Sequence, residues 1–109
     1  MPHQARALAG KLAVLVLLAG MAEAPAHAAD VAYGEYLSGE CFSCHRKDGT
    51  EKGIPAIIGW PPDQLVAVFW SYKEKVRDNV TMQTIAARFT KEDMEAMAAY
   101  LATLKGAQR

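Results

Sequence analysis

Cys41-Phe42-Ser43-Cys44-His45 is the stretch from which the fold of this chain can be inferred. Two thiols three positions apart can each form a thioether with a vinyl group of the same porphyrin. The histidine that follows the second thiol then lies beneath the ring, where its imidazole can bind the iron. The pattern therefore predicts one covalently bound haem c, attached through Cys41 and Cys44, with His45 as an axial iron ligand.

Three different interpretations of the motif fit less well. A thioredoxin-like dithiol requires a βαβ setting, and no alternating strand pattern surrounds the motif. A structural zinc site needs four ligands, and the chain has only two cysteines. A disulfide is possible in an oxidising compartment, but it leaves His45 without a role.

Residues 1–28 have the organisation of an export signal peptide. Arg6 and Lys11 give a positive start, residues 12–22 form an uncharged apolar run, and residues 26–28 (Ala-His-Ala) form a small-x-small cleavage site. The apolar run is too short to span a bilayer as a mature helix. Because haem c is attached outside the bacterial cytoplasm, a cleaved leader and a periplasmic location are expected together.

Cleavage at residues 22–24 and an uncleaved membrane anchor are the alternatives to this processing. Cleavage after Ala28 leaves residues 29–109 as a single small domain. The chain carries 12 Lys and Arg against 12 Asp and Glu side chains, and this neutrality argues against a nucleic-acid partner. A domain of about 80 residues forms only a marginal core by itself. Haem is therefore expected to supply the missing apolar volume, and the chain without haem is expected to fold poorly.

The residues after the leader predict an all-α fold with three or more helices around the haem. A first helix begins after the N-cap Asp30 and runs into the haem motif. Helical spacing relates its apolar residues, which are Val31, Tyr33, Tyr36 and Leu37. Gly34 costs about 1 kcal/mol in helix propensity. It indicates either the close approach of another helix or a merely tolerated glycine.

Two further helices have clear beginnings. Residues 61–63 (Pro-Pro-Asp) begin one of them. An i, i+3, i+4, i+7 face on it suits packing against a porphyrin or a core, and its members are Leu65, Val68, Phe69 and Tyr72. Residues 90–93 (Thr-Lys-Glu-Asp) resemble a capping box and begin the last helix, which Gly106 is expected to end.

Glycine and proline make residues 46–60 loop-like. The neighbourhood of Pro55 is predicted to supply the carbonyl that accepts a hydrogen bond from Nδ1 of His45, since a metal-ligating histidine nearly always has such a partner. The alternative is a proline that only shapes a turn. Ile54, Ile57 and Ile58 are expected to cover the edge of the ring.

The second axial ligand is predicted to be Met82. The leader contains the remaining two histidines, so two histidine ligands from the mature chain are excluded. Met94 and Met97 lie on the apolar face of the last helix, where methionine is usually a packing residue. Met82 instead follows an expected helix end, where a loop can cross the far side of the ring. A lysine ligand and an open iron site also compete with Met82 at this position.

These residues resemble those of class I (mitochondrial-like) cytochromes c, in which three to five helices wrap around one haem. The chain is similar, more narrowly, to the small single-haem cytochromes that form the cytochrome subunit of sulfide dehydrogenase, or flavocytochrome c. The stretches that carry the resemblance are GEYL (34–37), CFSCH (41–45), GIPAIIGW (53–60), SYK (71–73), RDN (77–79), MQTIA (82–86) and AYLATLK (99–105). The resemblance implies a contact between Gly34 and Tyr100. The chain departs from the family in having Val80-Thr81 where a proline often precedes the ligand methionine.

Iron with two protein ligands has no vacancy for a substrate, so the expected chemistry is outer-sphere electron transfer. No general base or nucleophile stands out, and the chain is not expected to be an enzyme by itself. The resemblance implies a sulfide-oxidising flavoprotein as the electron donor. The alternative is a freely diffusing respiratory electron carrier that has no permanent partner.

Overall fold

The computed structural model describes residues 30–106. Within this part the chain forms four α-helices and one 3₁₀ helix, and it contains no β-strand. The α-helices are α1 (Val31–Ser38), α2 (Pro62–Lys73), α3 (Val80–Ala86) and α4 (Lys91–Thr103), and the 3₁₀ helix (Gly39–Ser43) follows α1 directly. The predicted all-α fold is confirmed.

The signal peptide predicted for residues 1–28 lies outside the described residues. The domain predicted for residues 29–109 is described except for its first residue and its last three. In this described part, no helix is both long and apolar enough to cross a lipid bilayer.

Side-chain caps begin three of the helices. Asp30 accepts a hydrogen bond from the Tyr33 backbone at 3.1 Å, as predicted. Thr90 and Asp93 form the predicted capping box, with hydrogen bonds of 2.9 and 3.1 Å. The hydrogen bond from the Thr90 backbone lowers the pKa of Asp93. Asp93 also accepts a hydrogen bond from the Tyr33 hydroxyl at 3.0 Å, which ties the start of α4 to α1.

The predicted first helix is present, but most of the apolar residues that helical spacing relates on it are exposed. Tyr36 is 80 % exposed, and Val31 and Tyr33 are also exposed, whereas Gly34 and Ser38 are buried. The reason is the closeness of α4. A Cβ atom built on Gly34 would lie 1.9 Å from the carbonyl oxygen of Ala96. Only a small side chain fits between α1 and α4 at Gly34, so Val31, Tyr33 and Tyr36 lie outside this contact, whereas Leu37 packs against the buried cluster that contains Met94 and Met97.

The predicted close approach at Gly34 is therefore present, but its nearest partner is the backbone of Ala96. Tyr100, the partner that the resemblance implied, is buried in a cluster with Ile58, Leu65 and Leu101. Two helix backbones can approach this closely only where one of them carries no side chain. The contact does not depend on an aromatic residue of the other helix.

Helix α4 is the centre of the packing. Both α1 and α2 pack against it, while α3 packs against α2 and the 3₁₀ helix against α1. A second buried cluster joins α3 to α4 and consists of Ala86, Phe89, Met94 and Met97. Residues of α2, α3 and α4 line a common space between these helices.

The connections differ in two details from expectation. Helix α4 ends at Thr103, and Leu104 is already extended, so Gly106 is not its terminating residue. The loop of residues 46–60 is fastened to α4 by a 3.0 Å hydrogen bond from the Gly59 backbone to the Leu101 carbonyl. Gly59 has a φ of 72°, a conformation that favours glycine, and this turn directs the loop back onto the helix.

Candidate haem site

The helices and the long loop surround a cavity of about 520 Å³. This volume lies within the range of small-molecule and cofactor sites. All five residues predicted for the site line it, namely Cys41, Cys44, His45, Pro55 and Met82. Residues that are 41 positions apart in sequence, from Cys41 to Met82, are therefore brought to one cavity.

The walls of the cavity are mostly apolar. The predicted face of α2 lines it, and so do residues of α3 and α4; these are Leu65, Val68, Phe69, Tyr72, Ile85, Met94, Met97, Ala98 and Leu101. From the loop, Ile54 and Ile57 line the cavity as expected, but Ile58 is instead buried in the cluster around Tyr100. An apolar wall of this kind fits the faces of a porphyrin.

The 3₁₀ helix presents the haem motif to the cavity. The backbone N–H groups of Cys44 and His45 both bond to the Cys41 carbonyl, at 3.2 and 2.8 Å. This tight turn places both thiols and the imidazole beside the same space. Cys41 is half-buried and Cys44 is exposed.

His45 is buried, and a single hydrogen bond defines its tautomer. Its Nδ1 lies 2.6 Å from the Pro55 carbonyl oxygen. A carbonyl can only accept, so Nδ1 must carry the proton and Nε2 keeps its lone pair. The loop thus orients the imidazole through the kind of hydrogen bond that metal-ligating histidines usually make. Pro55 itself supplies the carbonyl that the sequence led us to expect.

Met82 reaches the cavity from a helix and not from the expected loop. It lies in the first turn of α3, where the Asn79 side chain caps the helix by accepting from the Met82 backbone at 2.9 Å. Asparagine ahead of a short apolar segment is an N-cap pattern, so this start can be found in the sequence. Met94 and Met97 also line the cavity, but they are 1 % and 2 % exposed and belong to the core.

Two comparisons with known proteins bear on this site. The family model for cytochrome c matches residues 31–105, which include every cavity-lining residue. The chain belongs to the cytochrome c family. A cytochrome subunit of sulfide dehydrogenase from Chlorobaculum tepidum is 32 % identical over 72 residues, which cover 65 % of this chain and 66 % of that relative. The match thus spans just under two thirds of the relative's length.

Family membership defines the cofactor. Proteins of this family bind haem c covalently, and Cys41 and Cys44 fit the attachment motif. The bound haem supplies an iron that can alternate between the ferric and ferrous states. Membership of the cytochrome c family indicates an electron-transfer protein.

The environment of the Cys41 thiol in the cytochrome is unlike that of a reactive dithiol. Burial raises the pKa of the Cys41 thiol to about 11. At neutral pH the free thiol is therefore protonated. Dithiol redox catalysis depends on a thiolate with a lowered pKa, so the shift is opposite to the one that a thioredoxin-like site needs.

Helix α3 of the cytochrome is held by residues whose role the sequence does not reveal. The Lys73 ammonium donates to the Phe89 carbonyl at 2.5 Å and to the Ala87 carbonyl at 3.3 Å, beyond the C-terminal end of α3. Arg88 forms an ion pair with Glu40, the neighbour of Cys41. These partners are distant in sequence. From the sequence alone, the basic residues at the end of α2 could be explained only by a favourable interaction with the helix dipole or by exposure to solvent.

Proposed function

We propose that this cytochrome accepts electrons in the periplasm from a sulfide-oxidising flavoprotein and passes them to a further redox protein. The observation that carries the proposal is the 32 % identity to a cytochrome subunit of sulfide dehydrogenase. A periplasmic location is supported by the leader pattern of residues 1–28 and by the attachment of haem c outside the bacterial cytoplasm.

The shape of the site supports transfer through the edge of the haem. Core side chains such as Met94 and Met97 close one side of the cavity. Cys44 and Ile54 line the same cavity and are exposed, Ile54 to 41 %. A cofactor seated between these residues comes closest to solvent at this rim. An electron donor would therefore approach the haem at this rim.

We propose His45 and Met82 as the axial ligands, with Pro55 orienting His45. The 3₁₀ helix and α3 do not pack against each other, and each lines the cavity from its own element. This arrangement suits ligands on opposite faces of one ring. A thioether ligand raises the reduction potential relative to a second imidazole, which suits an acceptor of electrons.

Replacing Met82 with alanine is expected to abolish the weak thioether–iron absorption band at the red end of the visible spectrum of the oxidised protein. Met82→Ala removes the ligand sulfur but leaves the Asn79 cap, which uses only the Met82 backbone. Met94→Ala serves as the matched control, since it shortens a cavity-lining methionine of the core and should retain the band. Loss of the band in Met94→Ala with retention in Met82→Ala would show that the ligand assignment is wrong.

The proposed donor can be tested with the holoprotein. The tagged cytochrome is purified from the periplasm of its source cells, and flavin is assayed by fluorescence after acid release. A flavin-containing subunit is expected at one flavin per haem. Anaerobic sulfide should then reduce the haem, as followed by its visible absorption. Cytochrome separated from the flavoprotein is the control for direct reduction by sulfide.

Two variants localise the electron entry. Ile54→Glu puts a charge on the exposed rim and is expected to slow reduction by the flavoprotein about tenfold. Tyr36→Glu puts the same charge on an exposed residue that does not line the haem cavity and should leave the rate unchanged.

A different outcome of the purification would support the freely diffusing carrier. In that case the cytochrome would be a flavin-free monomer that is reduced by a quinol-oxidising complex and not by sulfide.

A further inference from the structure

Glu51 is bonded to the same peptide unit that orients His45. The carbonyl oxygen of this unit belongs to Pro55 and lies 2.6 Å from Nδ1 of His45. Its nitrogen belongs to Ala56, and the N–H donates a 3.2 Å hydrogen bond to Oε1 of Glu51. A single peptide unit therefore connects a carboxylate to the imidazole of the haem motif.

This peptide unit holds its two partners on opposite sides. The bond between Pro55 and Ala56 is trans, so its carbonyl and its N–H point in opposite directions. The carbonyl faces His45, which is buried, and the N–H faces Glu51, which is exposed. A surface carboxylate and a predicted iron ligand thus belong to one chain of hydrogen bonds.

Two further features fix the orientation of the peptide unit. The ring of Pro55 restricts its φ angle. The Ala56 carbonyl accepts a 3.0 Å hydrogen bond from Nε1 of Trp60, so both backbone polar groups of Ala56 have a partner. Trp60 in turn packs against the buried cluster around Tyr100. The contact with Glu51 is therefore part of an ordered loop.

A carboxylate at the N–H polarises the peptide unit. The nitrogen lone pair of a peptide bond is delocalised onto the carbonyl oxygen. A negative charge that accepts from the N–H favours this delocalisation, and hydrogen bonds arranged in a chain strengthen one another in the same way. Glu51 thus makes the Pro55 carbonyl a stronger acceptor for Nδ1 of His45.

We propose that Glu51 is a positioning residue for the haem and acts on His45 through the peptide unit of Pro55 and Ala56. A stronger hydrogen bond at Nδ1 leaves more electron density on the imidazole, and this stabilises ferric over ferrous iron. Hydrogen bonding around the axial ligands is one of the means by which a protein sets the reduction potential of haem iron. The inference rests on the proposed role of His45 as an axial ligand, but not on the identity of the electron donor.

The first test measures the reduction potential of the holoprotein. Glu51→Gln removes the charge but keeps an oxygen that can accept from Ala56. It is expected to raise the equilibrium constant for reduction about threefold, which is about 28 mV for a one-electron couple. A role of Glu51 that is limited to closing the loop predicts an unchanged potential in this variant. A change of less than about 1.5-fold in Glu51→Gln overturns the proposal.

Lys52→Gln is the matched control. Lys52 is the exposed neighbour of Glu51 and does not line the haem cavity. Both variants are measured at about 1 M salt, where the Debye length is about 3 Å and exposed charges interact little through solvent. Lys52→Gln is then expected to change the constant less than about 1.5-fold. A decrease in Lys52→Gln as large as the increase in Glu51→Gln would show that the charges act through space, which overturns the proposal.

NMR spectra of the ferrous protein follow the hydrogen bond itself. His45 can be labelled selectively with ¹⁵N-histidine, because the other two histidines lie in the predicted leader. The Nδ1 proton is expected to move upfield in Glu51→Gln, since a weaker hydrogen bond deshields it less, and to stay in place in Lys52→Gln. An unmoved Nδ1 proton in Glu51→Gln contradicts the proposal.

The same spectra separate the role of Glu51 from the ligand assignment. The ring current of haem moves the carbon-bound protons of a ligating imidazole far upfield. If those of His45 lie upfield in every variant while its Nδ1 proton is the same with and without Glu51→Gln, the axial ligand stands and only the role of Glu51 fails. If they lie at ordinary positions in the unmodified protein, His45 is not the ligand and the inference fails with it.

Discussion

The double variant Cys41→Ala/Cys44→Ala is expected to lose all covalently bound haem and, with it, the cooperative fold. The cavity of about 520 Å³ is lined mostly by apolar side chains that have no protein partner on that side. The cavity is open to solvent at its rim, so without haem water can reach these walls, and each large apolar side chain left unburied forgoes about 1.5–3 kcal/mol of burial free energy. The loss over several such side chains is comparable to the total stability of a small domain. The chain without haem therefore has to collapse or unfold.

Denaturing mass spectrometry of the exported protein checks the covalent link, and circular dichroism with urea titration checks the fold. The variant should show the mass of the peptide alone and no cooperative transition. Single Cys41→Ala and Cys44→Ala variants keep one thioether each and should retain haem in part. Native helix content and a sharp transition in the haem-free double variant would mean that haem is not the core of this protein.

Gly34→Ala is expected to destabilise the holoprotein by about 3 kcal/mol or more, despite the higher helix propensity of alanine. The new Cβ atom would meet the carbonyl oxygen of Ala96 at 1.9 Å and its carbonyl carbon at 2.5 Å. These are backbone atoms in the middle of α4, so they cannot rotate away. Helix α1 has to move off α4, and the 3₁₀ helix that carries the cysteines moves with it.

Gly39→Ala is the matched control for this prediction. Gly39 has helical backbone angles, with φ −54° and ψ −41°, and nothing lies within 4 Å of the Cβ position. Its replacement should stabilise the protein by about 0.5–1 kcal/mol. Urea unfolding of both variants with haem attached gives the two free energies. Equal stability of Gly34→Ala and Gly39→Ala would contradict the proposed packing of α1 on α4.

Local patterns predict the parts of the fold that depend on neighbouring residues. The caps at Asp30 and Thr90 are visible in the sequence because a capping side chain and its backbone partner are only three residues apart. The apolar face of α2 follows from helical periodicity in the same way. The start of α3 at Asn79 is equally local. The prediction that a loop carries Met82 is nevertheless wrong. It overlooks the N-cap at Asn79, which marks the start of a helix that includes Met82.

Predictions that depend on distant residues fare less well. The pattern of apolar residues on α1 does not show which side of the helix is buried. The close approach of the Ala96 backbone to Gly34 decides it. The roles of Lys73 and Arg88 depend on partners 14 to 48 residues away. No short-range pattern encodes such pairs, because they form only after the helices have packed.

The sequence by itself determined the cofactor and the way it is attached, since thioether formation and imidazole ligation require only five consecutive residues in one tight turn. It also determined the helical class of the fold, because periodicity and caps are properties of single segments. The tertiary structure alone decided which side of α1 is buried and which distant groups Lys73 and Arg88 bind. Each of these depends on distances between segments that the chain brings together only on folding, and sequence separation carries no measure of such distances.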